Sequence, residues 1–224
     1  RQKAVSTDTR KIKSGDIFSN ETWEFDGSDW TMVAASGPAP RFAQSMTFDS
    51  VRGKTVMYGG ALFFGTVFFD TWEWDGVAWT KKFEGGPPAQ VYGSLTFDPL
   101  RGRSIFVSGY THNRVFSSET WEWNGTNWAK SLNISPSVRE LPAVAYDYQR
   151  SRLVLFGGLN PAGTYLGDSW GLILGPSVVT PPQNQIGRGC LHGAYRRIVL
   201  LPHIHRTRGT TWSLRSVCFS LVVS

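Results

Sequence analysis

The sequence predicts an all-β fold built from a repeated, four-stranded antiparallel unit, on three observations. Trp23, Trp72, Trp121 and Trp170 are spaced 49 residues apart, and Trp30/Trp79/Trp128, Asp49/Asp98/Asp147 and Arg52/Arg101/Arg150 keep the same interval. Several columns held in register mark each period as one structural unit. Each of the first three Trp-Glu-aromatic segments runs into Asp-Gly or Asn-Gly, the strongest short hairpin signal. Finally, 24 glycines, 12 prolines and 14% aromatic residues suit short strands and tight turns, and no helical periodicity stands out.

Taken in order, the unit has strands A to D. Strand A ends in Thr47-Phe48-Asp49, Thr96-Phe97-Asp98 and Ala145-Tyr146-Asp147, and the following turn carries the repeated arginine. Strand B is apolar and ends in glycine, as in VMYGG at 56–60, IFVSG at 105–109 and LVLFGG at 153–158. A variable loop leads to strand C, the Trp-Glu-aromatic segment, which turns into strand D. A two-residue Asp26-Gly27 loop puts Phe25 opposite Ser28 and Trp23 opposite Trp30, making the two indoles neighbours on one face. The repeated phrase is thus expected to be a packing device, each indole burying roughly 150–250 Å².

Units 41–82 and 90–131 read as complete. The third lacks strand D, because Trp170 runs into Gly-Leu-Ile-Leu-Gly, and the N-terminal C–D hairpin has TDTRK at 7–11 where strand B should be. The expected organisation is an irregular segment over 1–20, repeats over 21–175 amounting to about three units, and a tail over 176–224. The chain starts at Arg1 with no visible signal peptide, so it reads as a processed product or a fragment.

Charge separates body from tail. Residues 1–175 hold 17 Lys+Arg and all 17 Asp+Glu, so the net charge of +6 belongs to six arginines in 176–224. The neutral body therefore gives no sign of nucleic-acid binding. Three readings of the tail stay open: a basic arm, a small accessory β unit around Trp212–Val223, or a segment from a shifted reading frame. It also holds both cysteines, Cys190 and Cys218. No apolar run reaches the roughly 18 residues of a membrane span.

Glycine-ended strands, an acid-x-Trp segment and a second Trp after a short hairpin, at a period near 50, resemble kelch repeats. The form DTWEWDGVAW at 70–79 looks like bacterial kelch proteins of the galactose oxidase central-domain type. That resemblance implies β-propeller blades with strand A innermost and D outermost, and a fragment of a larger ring. It favours an extracellular or cell-surface location. The galactose oxidase copper site would need two tyrosines, two histidines and a cysteine linked to one tyrosine. The body has no cysteine, and its one histidine is His112. The resemblance thus implies fold without oxidase chemistry, and no cofactor is expected. His203 and His205 in the tail are too few for a metal site.

The remaining expectation is a non-catalytic binding or scaffolding module. Alternation of strands puts the B–C and D–A connections on one face of each unit, and variation gathers there: ALFFGTVFF at 61–69, THNRVFSS at 111–118, NPAGTYLG at 160–167. Variable loops on a rigid scaffold are where recognition is usually found. Candidate contact residues are Arg41, Gln90 and Arg139, which share one repeat column, with Phe63, Phe64, His112 and Asn113 in the loops. The partner would be a protein, peptide or glycan. The competing role for Arg41 and Arg139 is bracing of the blades. An alternative function is the propeller portion of a secreted carbohydrate-active enzyme, its catalytic residues outside this chain.

Overall fold

The computed structural model describes residues 4–7, 11–12, 15–16, 19–62, 66–88, 91–111, 113, 115–131 and 136–172, with side chains from residue 19 onward. The expectations for the tail, including Cys190, Cys218, His203 and His205, lie outside these residues. The described residues form strands and no helix. None of their segments is a helix long and apolar enough to cross a membrane.

The strands are β1 (Ala4–Thr7), β2 (Lys11–Ile12), β3 (Gly15–Asp16), β4 (Thr22–Phe25), β5 (Trp30–Ala34), β6 (Ser45–Asp49), β7 (Lys54–Tyr58) and β8 (Asp70–Trp74). They continue with β9 (Trp79–Glu84), β10 (Ser94–Asp98), β11 (Arg103–Val107), β12 (Thr120–Trp123), β13 (Trp128–Lys130), β14 (Ala143–Asp147), β15 (Arg152–Phe156) and β16 (Ser169–Leu172). Apart from the small β2–β3 pair, they make four successive antiparallel sheets: β1-β4-β5, β6-β7-β8-β9, β10-β11-β12-β13 and β14-β15-β16. The two middle sheets are the complete units. Strand β6 packs beside β10, and β10 beside β14, so the A strands are neighbours from sheet to sheet.

Two findings differ from the sequence reading. The first sheet has a strand B after all: β1 pairs with β4, Ser6 opposite Trp23, where Met57 stands opposite Trp72 in the next sheet. It begins ahead of the repeat column, within the segment expected to be irregular. The hairpin register also differs. Phe25 lies opposite Trp30, Trp74 opposite Trp79 and Trp123 opposite Trp128, while Trp23 faces Met32. The loop is four residues long, closed by Asp26 N–H donating to Asp29 O. The cause is the aspartate side chain: Asp26 Oδ1 accepts the N–H groups of Ser28 and Asp29 at 2.8 and 3.0 Å. Such a side-chain turn replaces the two-residue loop, leaving only Gly27 with positive φ, +108°. Asp75 and Asn124 make the same turn.

The register decides which indoles form the core. Trp74 and Trp123 are almost fully buried, whereas Trp72 and Trp121 are half-buried. The first of these pairs reaches into the preceding sheet: Trp74 Nε1 donates to Glu24 Oε1 and Trp123 Nε1 to Glu73 Oε1, both at 3.1 Å. Their hairpin partners do likewise, Trp79 Nε1 to Thr22 Oγ1 at 2.7 Å and Trp128 Nε1 to Thr71 Oγ1 at 2.8 Å. Trp123 and Trp128 pack with Val56, Tyr58, Leu95 and Phe106 between the second and third sheets. Ile105, Val107, Leu153, Leu155 and Leu172 fill the next interface. A Cβ on Gly86 would come within 2.8 Å of Trp128 Cδ1 at φ +125°, so the chain passes the indole only because that residue is glycine.

Candidate functional site

The two ends of each sheet are built differently. At the A–B end, Asp49, Asp98 and Asp147 each accept two backbone N–H groups of the turn that follows. Arg52 and Arg101 cross from there to the buried Glu73 and Glu122. The repeated acids are thereby spent on holding turns, and Arg52 and Arg101 on tying those turns to strand C.

The opposite end carries the B–C and D–A connections, and they touch. Phe42 bridges to Ala61 and Ala61 to Val67; Val91 to Tyr110 and Tyr110 to Phe116; Glu140 to Leu159 and Leu159 to Tyr165. The B–C loops close through Leu62 N to Thr66 O, Thr111 N to Val115 O and Asn160 N to Thr164 O. Ala43, Tyr92 and Leu141, one repeat column, all have φ between 53° and 56°. This left-handed conformation costs a non-glycine residue energy, and here it aims backbone groups between sheets: Tyr92 N donates to Ala43 O at 3.4 Å and Leu141 N to Tyr92 O at 2.7 Å. Ser45 Oγ to Gly93 O and Ser94 Oγ to Pro142 O add side-chain links between the same sheets.

Arg41 and Arg139 lie beneath this end, and both are buried, at 3% and 0% exposure. Arg41 grips Asp70 with two nitrogens, at 2.5 and 3.1 Å, donates to Gly59 O and Ala39 O, and stacks on Phe68 at 3.9 Å. Arg139 repeats the pattern on Asp168, Gly157 O and Ser137, engaging all five N–H donors. Each guanidinium is thus committed inside its own sheet, tying the start of strand A to the ends of B and C. The arginines brace the loops rather than present a fork to solvent. Gln90, Phe63, Phe64 and His112 lie outside the described residues, and Asn113 is exposed at the tip of its loop.

The acid column that includes Asp70 and Asp168 also holds the first indole of each strand C. Trp23, Trp72, Trp121 and Trp170 donate Nε1 to Glu21, Asp70, Glu119 and Asp168 at 3.1, 2.7, 2.9 and 2.6 Å. In the third sheet, where the arginine column reads Gln90, Glu119 pairs with Lys130 instead. Burial pushes the Asp70 carboxyl up, but the hydrogen bonds from Arg41 and Trp72 outweigh it and hold it below the usual range. Arg139 first, then Trp170, against burial, bring Asp168 down to about 2. A depressed carboxyl stabilises the fold above its unfolded pKa and loses that contribution as pH falls through the folded value. Stability from these groups should hold down to about pH 4 and decline from there to about pH 2, taking an unfolded Asp pKa of about 3.9. Urea melts across that window test this; Asp168→Asn should flatten part of the decline, and a pH-independent melt there would contradict it.

Above the braces runs a strip of aromatic rings that the sequence reading missed. Phe42 and Tyr92 stand 6.4 Å apart, Tyr92 and Tyr110 5.4 Å, and Tyr110 and Phe116 5.5 Å. All four are half-buried. Burial, with the charge of Glu140 adding to it, pushes the Tyr92 hydroxyl above the usual phenol value and keeps it a neutral donor. Tyr165 and Val115, on neighbouring loops, are strongly exposed. Only strand-end positions beside the glycines could have pointed to the strip, and these are not aromatic in every repeat.

No family model matches the chain, and no curated protein matches it. Among solved structures it is similar to the one titled "Structure of YjhT", with a TM-score of 0.55 and 19% identity over 66% of this chain and 48% of that one. YjhT is a kelch-like β-propeller protein. At that identity the likeness concerns fold alone. The four-stranded antiparallel sheets, with A strands side by side, define a propeller-like all-β protein. The chain spans about half (48%) of the YjhT structure.

Proposed function

We propose that this chain is a kelch-type propeller module that binds a protein, peptide or glycan through the end carrying the B–C and D–A loops, without catalysis of its own. One observation carries the reading: the three A–B turns and the three C–D turns are each held alike by an Asp or Asn side chain, whereas the other end varies and carries the strip of half-buried aromatic rings. Aromatic rings supply large contact area at low entropic cost and are favoured in recognition surfaces. Phe63 and Phe64, Asn113 and His112 belong to these loops, with Gln90 at the start of strand A; Arg41 and Arg139 hold the loops from below. The Tyr92 hydroxyl offers a neutral donor within the aromatic strip.

A peptide-array and glycan-array screen tests the reading. Phe63→Ser with Phe64→Ser, and separately Tyr110→Ala, should abolish hits seen with the wild type. The loop double variant should stay within about 1 kcal/mol of wild-type stability, as surface changes do. If the double variant instead lost several kcal/mol, the size of a core truncation, the loop would belong to a core. Hits unchanged in all variants would place binding elsewhere.

A further inference from the structure

The surface formed by the loop bridges is apolar and carries one charge. Of the residues that make the bridges and the left-handed column of Ala43, Tyr92 and Leu141, all are apolar or aromatic except Glu140. Glu140 stands in the repeat column of Phe42 and Val91. The N–H of its neighbour Leu141 donates to Tyr92 O at 2.7 Å, which holds Glu140 beside the aromatic strip. Its charge is felt at the Tyr92 hydroxyl, where it adds to the effect of burial. The arginines of this end that the structure describes do not offset it, because Arg41 is spent on Asp70 and Arg139 on Asp168. Arg114, in the loop between Tyr110 and Phe116, lies outside the described residues.

The rings of the strip do not make a flat platform. Phe42 and Tyr92 are inclined by 60°, Tyr92 and Tyr110 by 36°, and Tyr110 and Phe116 by 47°. Inclined rings turn several faces toward one point, where a flat ligand would need one plane. A ring face is negative and attracts a cation within about 6 Å of its centroid. Neighbouring centroids only 5.4 and 5.5 Å apart bring a single cation within that reach of two rings. We infer that the strip takes a lysine side chain of a partner protein, the ammonium over Tyr92 on the side of Glu140 and the alkyl stem along Tyr110 and Phe116. Lysine carries a compact charge on an apolar four-carbon stem, so the stem matches the rings and the ammonium matches the acid. An anionic ligand would meet the Glu140 charge and no uncommitted guanidinium among the described residues of this end. The inference rests on the reading of this end as the recognition surface, and names what it recognises.

Ring-proton NMR shifts of Tyr92 and Tyr110 in the full chain test this, with n-butylammonium as the lysine probe and 1-butanol as its neutral counterpart. n-Butylammonium should shift both rings saturably and bind about 3–30-fold more tightly than 1-butanol, the span of cation–π energies. Glu140→Gln should weaken it about 2–5-fold, as loss of an exposed charge pair does, with wild-type circular dichroism. Tyr110→Leu should abolish the preference for the cation, read at Tyr92, and Tyr110→Phe should keep it. On a peptide array, hits should need lysine and vanish where each lysine is acetylated. Equal binding of 1-butanol, or no saturable shift with either probe, would overturn the inference; array hits that still depended on Tyr110 would then leave the recognition end standing. Array hits indifferent to every substitution at this end would overturn both.

Discussion

Trp123→Ala is expected to lower stability by about 3–5 kcal/mol, the range for truncating a large buried aromatic. The indole is 0% exposed. Its ring lies 5.5 Å from that of Trp128 and 5.9 Å from that of Phe83, and its N–H crosses to Glu73 of the preceding sheet. Removing it opens a cavity between two sheets and deletes one of the two partners of a buried carboxylate; Arg52 still pairs with Glu73. Trp72→Ala is the informative comparison. That indole is half-buried and bonds within its own sheet, to Asp70, so its loss should stay in the ordinary range of about 0.5–3 kcal/mol. Urea melts of both variants give the ordering. Equal losses would mean that the inter-sheet register does not set the energetics.

Arg41→Ala should cost a similar amount, about 3–5 kcal/mol, because breaking a buried pair leaves an uncompensated charge. Arg41 and Asp70 have side-chain exposures of 3% and 8%, so water does little to relieve Asp70. Arg41→Lys should recover only part, since an ammonium cannot make the two-pronged contact. Arg139→Ala should cost less than Arg41→Ala, because the Asp168 side chain is 39% exposed and can rehydrate. Thermal or urea unfolding decides the order. Arg139→Ala as damaging as Arg41→Ala would contradict the role given to solvent, and a neutral Arg41→Ala would contradict the brace itself.

The repeat was legible because packing between identical units demands identical spacing: the 49-residue columns of tryptophan, aspartate and arginine all landed on equivalent places in successive sheets. The hairpin register was misread for a local reason. Asp-Gly favours a two-residue loop through backbone preference, but here the Asp26, Asp75 and Asn124 side chains capture backbone N–H groups and lengthen the loop. The resulting shift moved the buried role from Trp72 to Trp74. Strand β1 was missed because it leaves the column of β7 while keeping its pairing. For the arginines a signal was present: Asp70 and Asp168 accompany Arg41 and Arg139, while Glu119 accompanies Gln90, so both members of the brace change together. The aromatic strip had no such signature, because Phe42, Tyr92, Tyr110 and Phe116 come from different repeat columns and only the loop bridges assemble them.

The central claim is that the repeated tryptophans staple the second and third sheets each to the one before it, and a double-mutant cycle across one staple tests it most directly. Trp128 Nε1 donates to Thr71 Oγ1 of the preceding sheet at 2.8 Å, with Trp128 8% and Thr71 0% exposed. Trp128→Phe, Thr71→Val and the double variant are compared by urea unfolding. Staples of this kind predict a coupling of about 0.5–1.5 kcal/mol, that of an intramolecular hydrogen bond. Losses that add to within about 0.3 kcal/mol, as for residues that do not touch, would contradict the account.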